Sequence, residues 1–245
     1  MTSSVNVNQI RAFIVDSLLP NFDKQWFVHN KTSLLRIRGF CVQGISLYFM
    51  RNLGKIRTYY FVQLLTIPET NLHVVLGDSL REKIRKKGLL TRFRGRPKEF
   101  LFDWPSRFDI VEELLSLLAI QIWPSIDNAL TPNEVLVGID EHKSGSDHDT
   151  VRWSEGMLTG MCGDLKSAKR KLQALEQDLS EWISTSAEKP GLITDADIEK
   201  LNELRKVLQV VTDQGRFNEY CQATAGKTIK NLKIPQKYLA LNRDQ

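Results

Sequence analysis

Residues 33–67 read SLLRIRGFCVQGISLYFMRNLGKIRTYYFVQLLTI. Leu35 and Ile37 alternate with Arg36 and Arg38, and Ile45, Leu47 and Phe49 alternate with Ser46 and Tyr48. The run from Ile56 to Ile67 is rich in Tyr, Phe, Val and Thr. A period of two places alternate side chains on opposite faces, which is the pattern of β-strands. Asn52 and Gly54 stand in the connection at 51–55, where a hairpin turn needs residues that tolerate unusual backbone angles. Leu72 to Leu76 predicts a further strand after the turn at Pro68, and Phe100 to Trp104 one more. The stretch therefore predicts an antiparallel meander of three or four strands, one face buried and one wet.

The period changes on either side. Ile10, Phe13, Ile14, Leu18 and Leu19 predict an amphipathic helix over 7–19, ended by Pro20. Residues 78–87 read as a basic helix, whereas Gly88, Gly95 and Pro97 break 88–98. Ile110, Val111, Leu114, Leu115, Leu118, Ile122 and Trp123 give 107–123 a broad apolar face, and Pro124 closes it. Val135 to Ile139 reads as a short apolar run before the polar stretch DEHKSGSDHDT at 140–150. Beyond it, Leu165, Ala168, Leu172, Leu175, Leu179 and Trp182 recur at spacings of three and four, as do Leu201, Leu204, Leu208 and Val211. Pro190-Gly191 separates the two runs, and Thr194 with Asp197 resembles a capping box. This predicts a helical hairpin similar to a short coiled coil.

The fold class expected is α+β: an antiparallel β-meander packed with helices, followed by a mainly helical C-terminal region with a helical hairpin. The organisation expected is an α+β domain over 1–139, a linker over 140–151, and a helical domain or extension over 152–245.

The chain has 245 residues, 42% hydrophobic and 26% charged, a globular balance that excludes wholesale disorder. Cys41, Cys162 and Cys221 are an odd number and far apart, which argues against a disulfide framework or a Cys-rich zinc site. The N-terminus does not read as a secretory signal. The longest strongly apolar stretch, Leu114 to Ile126, is short of the about 20 residues of a membrane helix. A soluble, cytoplasmic protein with no membrane contact is expected.

The net charge of +5 hides a segregation. Residues 31–60 hold Lys31, Arg36, Arg38, Arg51, Lys55 and Arg57 and no acid. Residues 81–98 hold Arg81, Lys83, Arg85, Lys86, Lys87, Arg92, Arg94, Arg96 and Lys98 against Glu82 alone. With Glu69 and Asp78 between them, 31–98 carries +12, whereas 99–150 carries eleven acids against Arg107 and Lys143. A block of this size bears on partners, since clustered bases track phosphate. Arg57 with Tyr59 on one strand face adds an aromatic on which a base can stack. The opposing reading is that the acidic block lies against the basic one and neutralises it.

Arg94-Gly95-Arg96-Pro97-Lys98 resembles the core of the AT-hook, a short extended peptide of the minor groove of A·T-rich DNA. In that family two arginines flank a glycine, which lets the backbone approach the groove floor. Phe93 stands where the family usually carries a leading proline. The resemblance implies a minor-groove contact for this loop. A phosphate-facing loop and a solvated or acid-paired loop remain open beside it.

Signals for catalysis are sparse. Gly226-Lys227-Thr228 matches the close of a phosphate-binding loop, but Cys221 occupies the position of its first glycine and the preceding segment reads as helix. Glu141 and Lys143 form a Glu-x-Lys pair, which metal-dependent nucleases carry on a strand with an Asp upstream, and Asp103, Asp109 and Asp127 lie upstream. His142, Asp147, His148 and Asp149 could surround a transition metal, although a polar linker accounts for them. His29 and His73 sit among apolar neighbours and read as structural. No catalytic residue, metal site or cofactor is assigned.

The function expected is therefore non-enzymatic binding by a basic face, engaging nucleic acid within a larger assembly. The bases assigned are Arg36, Arg38, Arg57 and the nine of 81–98. Leu172, Leu175, Leu179, Trp182, Leu201, Leu204 and Leu208 are assigned to a protein partner or self-association, because two helices leave one side of their seam open. The alternatives are an immunity, adaptor or scaffolding subunit, and a metal-dependent nuclease using Asp140 to Asp149.

Overall fold

A computed structural model describes residues 7–68, 76–79, 99–104, 109–121, 123, 131–141, 149–186 and 191–240. The class is α+β. Helix α1 spans Val7–Phe13 and continues as a π-turn (Ile14–Leu18) and a 3₁₀ turn (Leu19–Asn21) that contains Pro20. The strands are β1 (Phe27–His29), β2 (Ser33–Arg38), β3 (Cys41–Met50), β4 (Lys55–Leu64), β5 (Leu76–Ser79) and β6 (Leu101–Asp103). All pair antiparallel in the order β1-β2-β3-β4-β5. β6 also lies on β4, against Lys55–Arg57, while β5 takes Tyr59–Val62. The outer edge of β4 is thus shared by two short strands. The hairpin at 51–54 closes on Gly54, whose φ of +64° suits a residue without Cβ.

Six helices follow in the described residues: α2 (Asp109–Gln121), α3 (Pro132–Glu141), α4 (Asp149–Met161), α5 (Leu165–Ser186), α6 (Asp195–Val210) and α7 (Gln214–Asn231), with a short α8 (Gln236–Ala240). Their starts are written in side chains. Asp164 Oδ1 accepts from the Ser167 amide at 3.0 Å, and Asp213 Oδ1 from the Arg216 amide at 2.9 Å. Thr194 and Asp197 form the expected capping box at α6. A second box closes α3, with Glu134 accepting from the Thr131 amide at 2.7 Å, and Pro132 begins that helix. Each cap satisfies amides that a helix start leaves unpaired.

The sheet corrects the expectation of one wet face. Leu34, Ile45, Leu47, Ile56 and Val62 pack on one side with Ile10, Ile14 and Leu18 of the N-terminal helical segment and Leu114, Leu117 and Leu118 of α2. That cluster continues into Trp153, Met157, Leu172 and Phe217 of the C-terminal helices. Phe27, Leu35, Ile37, Val42, Phe61 and Leu65 face the other way and are covered by Leu232 and Ile234, which follow α7. The Thr228 hydroxyl donates to the Ile67 carbonyl at 3.0 Å and ties α7 to the segment that follows β4. Tyr238 of α8 stacks on Phe27, 4.3 Å between centroids. Each fully buried Leu, Ile or Phe is worth about 1.5–3 kcal/mol, so covering the second face adds substantially to stability.

Val135–Ile139, the short apolar run before the polar stretch, is helical and buries Val135 and Ile139. β1 was not foreseen. The strand predicted at Leu72–Leu76 falls largely outside the described residues, and β5 carries on through Ser79, past the expected start of a helix. The rest of that helix, and the loop 88–98, lie outside the described residues.

Candidate nucleic-acid interface

The strand register places the meander bases on different faces. Arg36 and Arg38 point to the side of Leu34, and Arg57 to the opposite side, across from Tyr48. They cannot form one surface. Arg36 is 6% exposed, a correction to its assignment as a phosphate contact. Its Nε donates to Gln43 Oε1 at 2.7 Å, its guanidinium lies 4.9 Å from the centre of the Trp26 ring, and Asp23 stands at 3.9 Å. A buried cation needs such partners, because desolvation otherwise outweighs its attraction to them. Arg38 is half-buried on the same side.

Arg57 is held within the chain. Its Nη1 donates to the Tyr59 hydroxyl at 2.7 Å and its Nη2 lies 2.5 Å from Glu99 Oε2, while Ser79 Oγ donates to Oε1 of the same carboxylate at 3.4 Å. The hydrogen bond to Tyr59, with the nearby Glu99 charge, pushes the Arg57 pKa further up. Lys55 stands 3.6 Å from Asp103. Two bases of the meander are thus met by the first two acids of the acidic block, as the neutralisation reading requires at these positions. Arg81, Lys83, Arg85, Lys86, Lys87, Arg92, Arg94, Arg96 and Lys98, with the segment that resembles an AT-hook, lie outside the described residues.

The described residues carry a different basic surface. Lys227, Lys230, Lys233 and Lys237 are all exposed, and none pairs with an acid among the described residues. No acid occurs between Glu219 and Asp244. The reason is local. Thr224, Thr228, Leu232 and Ile234 turn inward, which leaves the lysines on the solvent side. Lys233 adopts φ +54° just past α7, and the Lys233 and Ile234 amides return to the carbonyls of Lys230 and Ile229. Cations here also sit at the negative end of the helix dipole. Lys237 Nζ lies 4.9 Å from the centre of the Tyr238 ring. The sequence shows these lysines, but their periodicity is poor because they are spread over α7, its exit and α8.

The chemical motifs do not assemble. Gly226-Lys227-Thr228 lies inside α7, and the Thr228 hydroxyl is buried on Ile67 rather than open to a phosphate. Glu141 ends a helix, not the strand that Glu-x-Lys chemistry requires. His142, Lys143, Asp147 and His148 lie outside the described residues, and Asp149 pairs with Lys200 at 3.2 Å. Among the described residues there is no group of three or more His, Cys, Asp or Glu that could hold a metal. Burial pushes the Cys41 thiol far up and the Cys221 thiol up to about 12, so neither is a thiolate at neutral pH. Burial also lowers the His29 pKa, which favours its neutral form.

The leucine seam is covered by the chain itself. Leu172, Leu175 and Leu204 are fully buried, Leu179 and Leu201 are buried, and Leu208 is partly so. The cover includes α4, whose Trp153, Met157 and Leu158 join the same core. Gly156 and Gly160 form its notch. A Cβ at Gly156 would stand 2.6 Å from Leu172 Cδ2, and one at Gly160 2.7 Å from Phe217 Cζ. The seam leucines are therefore not a partner surface, which corrects that assignment. Trp182 alone of the set remains exposed, at 40%.

Among the described residues no helix is long and apolar enough to cross a membrane. The chain matches no protein family, no curated protein and no solved structure.

Proposed function

We propose that the protein is a non-enzymatic, cytoplasmic binding subunit that engages nucleic acid through exposed bases, within a larger assembly. The observation that carries this reading is the run Lys227, Lys230, Lys233 and Lys237, exposed and without an acid to neutralise it among the described residues. The nine bases of 81–98 support it from the sequence. Arg36 and Arg57 are not part of the reading, since Gln43 holds Arg36, and Tyr59 and Glu99 hold Arg57, within the chain. Lysines on a helix and its exit contact phosphate oxygens without reading bases, so affinity without strong sequence preference is expected.

The test is fluorescence anisotropy of a labelled DNA duplex and a labelled RNA strand across a salt series. Four lysine contacts alone correspond to a log–log slope of about −3.6 on duplex DNA. Replacing Lys227, Lys230, Lys233 and Lys237 by Ala flattens the slope by about that amount, and replacing Arg92, Arg94 and Arg96 by Ala flattens it by about 2.7. Absence of binding at low salt sinks the reading. Magnesium-dependent cleavage of the probe, lost in Glu141→Ala, would replace it with a nuclease.

A further inference from the structure

A cleft of about 680 Å³ lies between α1 and the hairpin end of β3. Of the residues that line it, Ile10 and Leu47 are buried and Phe49 and Met50 half-buried, which makes the interior apolar. Val7, Arg51 and Asn52 are exposed and form the rim. The walls are fixed by the backbone. The Leu47 amide donates to the Thr32 carbonyl at 2.8 Å. The Leu53 and Gly54 amides both donate to the Met50 carbonyl at 3.0 Å, which holds the turn that carries Arg51 and Asn52. Lys31 Nζ donates to Asn8 Oδ1 at 3.3 Å and ties α1 to the residues before β2. The charge around the cleft has one sign. No acid lines it, and neither Arg51 nor Lys31 pairs with an acid among the described residues.

We infer that this cleft binds a small amphipathic carboxylate, its apolar chain against Ile10, Leu47, Phe49 and Met50 and its head on Arg51 and Asn52. The size, the apolar interior and the few polar groups at the rim are those of a small-molecule site, which spans about 300–1,000 Å³. The charge selects the head. A guanidinium donates two parallel hydrogen bonds to a carboxylate, and the Asn52 amide supplies a further donor. One guanidinium balances the single charge of a carboxylate, whereas a phosphate monoester carries nearly two. A nucleic-acid backbone has no apolar chain to bury here, so the cleft is distinct from the lysines of α7 and α8. Residues 1–6, which precede Val7, read MTSSVN and carry no acidic side chain, so charge complementarity selects a free ligand over that segment. The inference goes beyond the nucleic-acid reading and does not rest on it.

The experiment titrates decanoate into the full chain, labelled at its methyl groups, with decylamine and decyl phosphate as controls. Decanoate shifts the Ile10 and Leu47 methyl resonances saturably, and both controls bind more weakly. Arg51→Met weakens decanoate by about tenfold or more, the size of a hydrogen bond to a charged group. Val7→Trp, which fills the rim from an exposed position, abolishes binding. Arg11→Met, at an exposed residue one turn along α1 and outside the lining, leaves the affinity unchanged. Circular dichroism and duplex-DNA titration of the cleft variants match the parent, so failure here is distinguishable from failure of the nucleic-acid reading. If circular dichroism shows Val7→Trp misfolded, Asn52→Trp repeats the measurement. The inference is overturned if decanoate gives no saturable shift, if decylamine or decyl phosphate binds as tightly, or if the cleft variants bind as the parent does. Nuclear Overhauser contacts from residues 1–6 to Leu47 that persist with decanoate overturn it in favour of the chain's own N-terminus. Self-association that Val7→Trp abolishes overturns it in favour of a second copy.

Discussion

Arg36 Nε donates to Gln43 Oε1 at 2.7 Å across β2 and β3, in a part of the sheet where Gln43 is fully buried and Arg36 nearly so. The pair lies between Trp26 and the neighbouring strands, so each side chain is the other's solvent substitute. A hydrogen bond to a buried charge is worth about 1.5–3 kcal/mol, and a lost partner leaves the charge desolvated. Gln43→Leu is therefore expected to destabilise the protein by about 2–3 kcal/mol in urea unfolding. Arg36→Met with Gln43→Leu costs less than the sum of the two single changes. Strict additivity would show that the pair is not coupled.

Gly44 separates Leu35 from Phe61 on the second face of the sheet. A Cβ there would stand 2.2 Å from Phe61 Cζ and 2.7 Å from Leu35 Cδ2. Gly44→Ala is expected to cost about 1–3 kcal/mol through overpacking, and Phe61→Leu in the same chain recovers part of it. Equal loss with and without Phe61→Leu would place the strain in the backbone instead.

Gly160 makes the equivalent approach in the helical half, against Phe217. Gly160→Ala raises helix propensity yet lowers the melting temperature, because the clash of about 1–3 kcal/mol exceeds the about 1 kcal/mol of propensity. A rise in melting temperature would mean that α4 and α7 separate without cost.

The helix caps are testable one by one. Thr194→Ala and Thr131→Ala are each expected to cost about 1 kcal/mol. The Asp164 carboxyl is held below its ordinary pKa, first by the Ser167 amide. A lowered folded pKa means that its contribution is present above the unfolded value and is lost as pH falls through the folded one. An NMR titration should place its midpoint below the ordinary carboxylate range, and Ser167→Pro, which removes that amide donor, should raise it.

The three thiols differ in access. Cys162 is exposed, whereas Cys41 and Cys221 are buried. Ellman's reagent at slightly alkaline pH should modify Cys162 in the native protein, and the two buried thiols only after denaturation. Rapid native reaction of all three would contradict the packing around β3 and α7.

Several elements were legible because their determinants are local. The alternation at 33–67 specifies β2, β3 and β4, and the spacing of Leu172, Leu175 and Leu179 specifies α5. Thr194 with Asp197 marks the start of α6. The same signature at Thr131-Pro132-Asn133-Glu134 was equally readable and marks α3, over a stretch whose sequence reading was only a short apolar run. A five-residue apolar run is too short for its period to separate strand from helix.

The site was less legible, for a physical reason. Alternation along one strand shows that Arg36 and Arg38 share a face, as do Arg57 and Tyr59. It carries no information on which face of the sheet each pair occupies, or on what lies over that face. Register across β3 put the pairs on opposite sides, and packing on Trp26 and Gln43 buried Arg36. Glu99, remote in the sequence, took up Arg57. In the same way the heptads fixed the leucine seam, but Gly156 and Gly160 allowed α4 to close it, leaving Trp182 outside. Secondary structure follows from neighbours within a turn or a strand, which the sequence states directly. Exposure follows from contacts between residues far apart in the chain, and only the tertiary structure decides those.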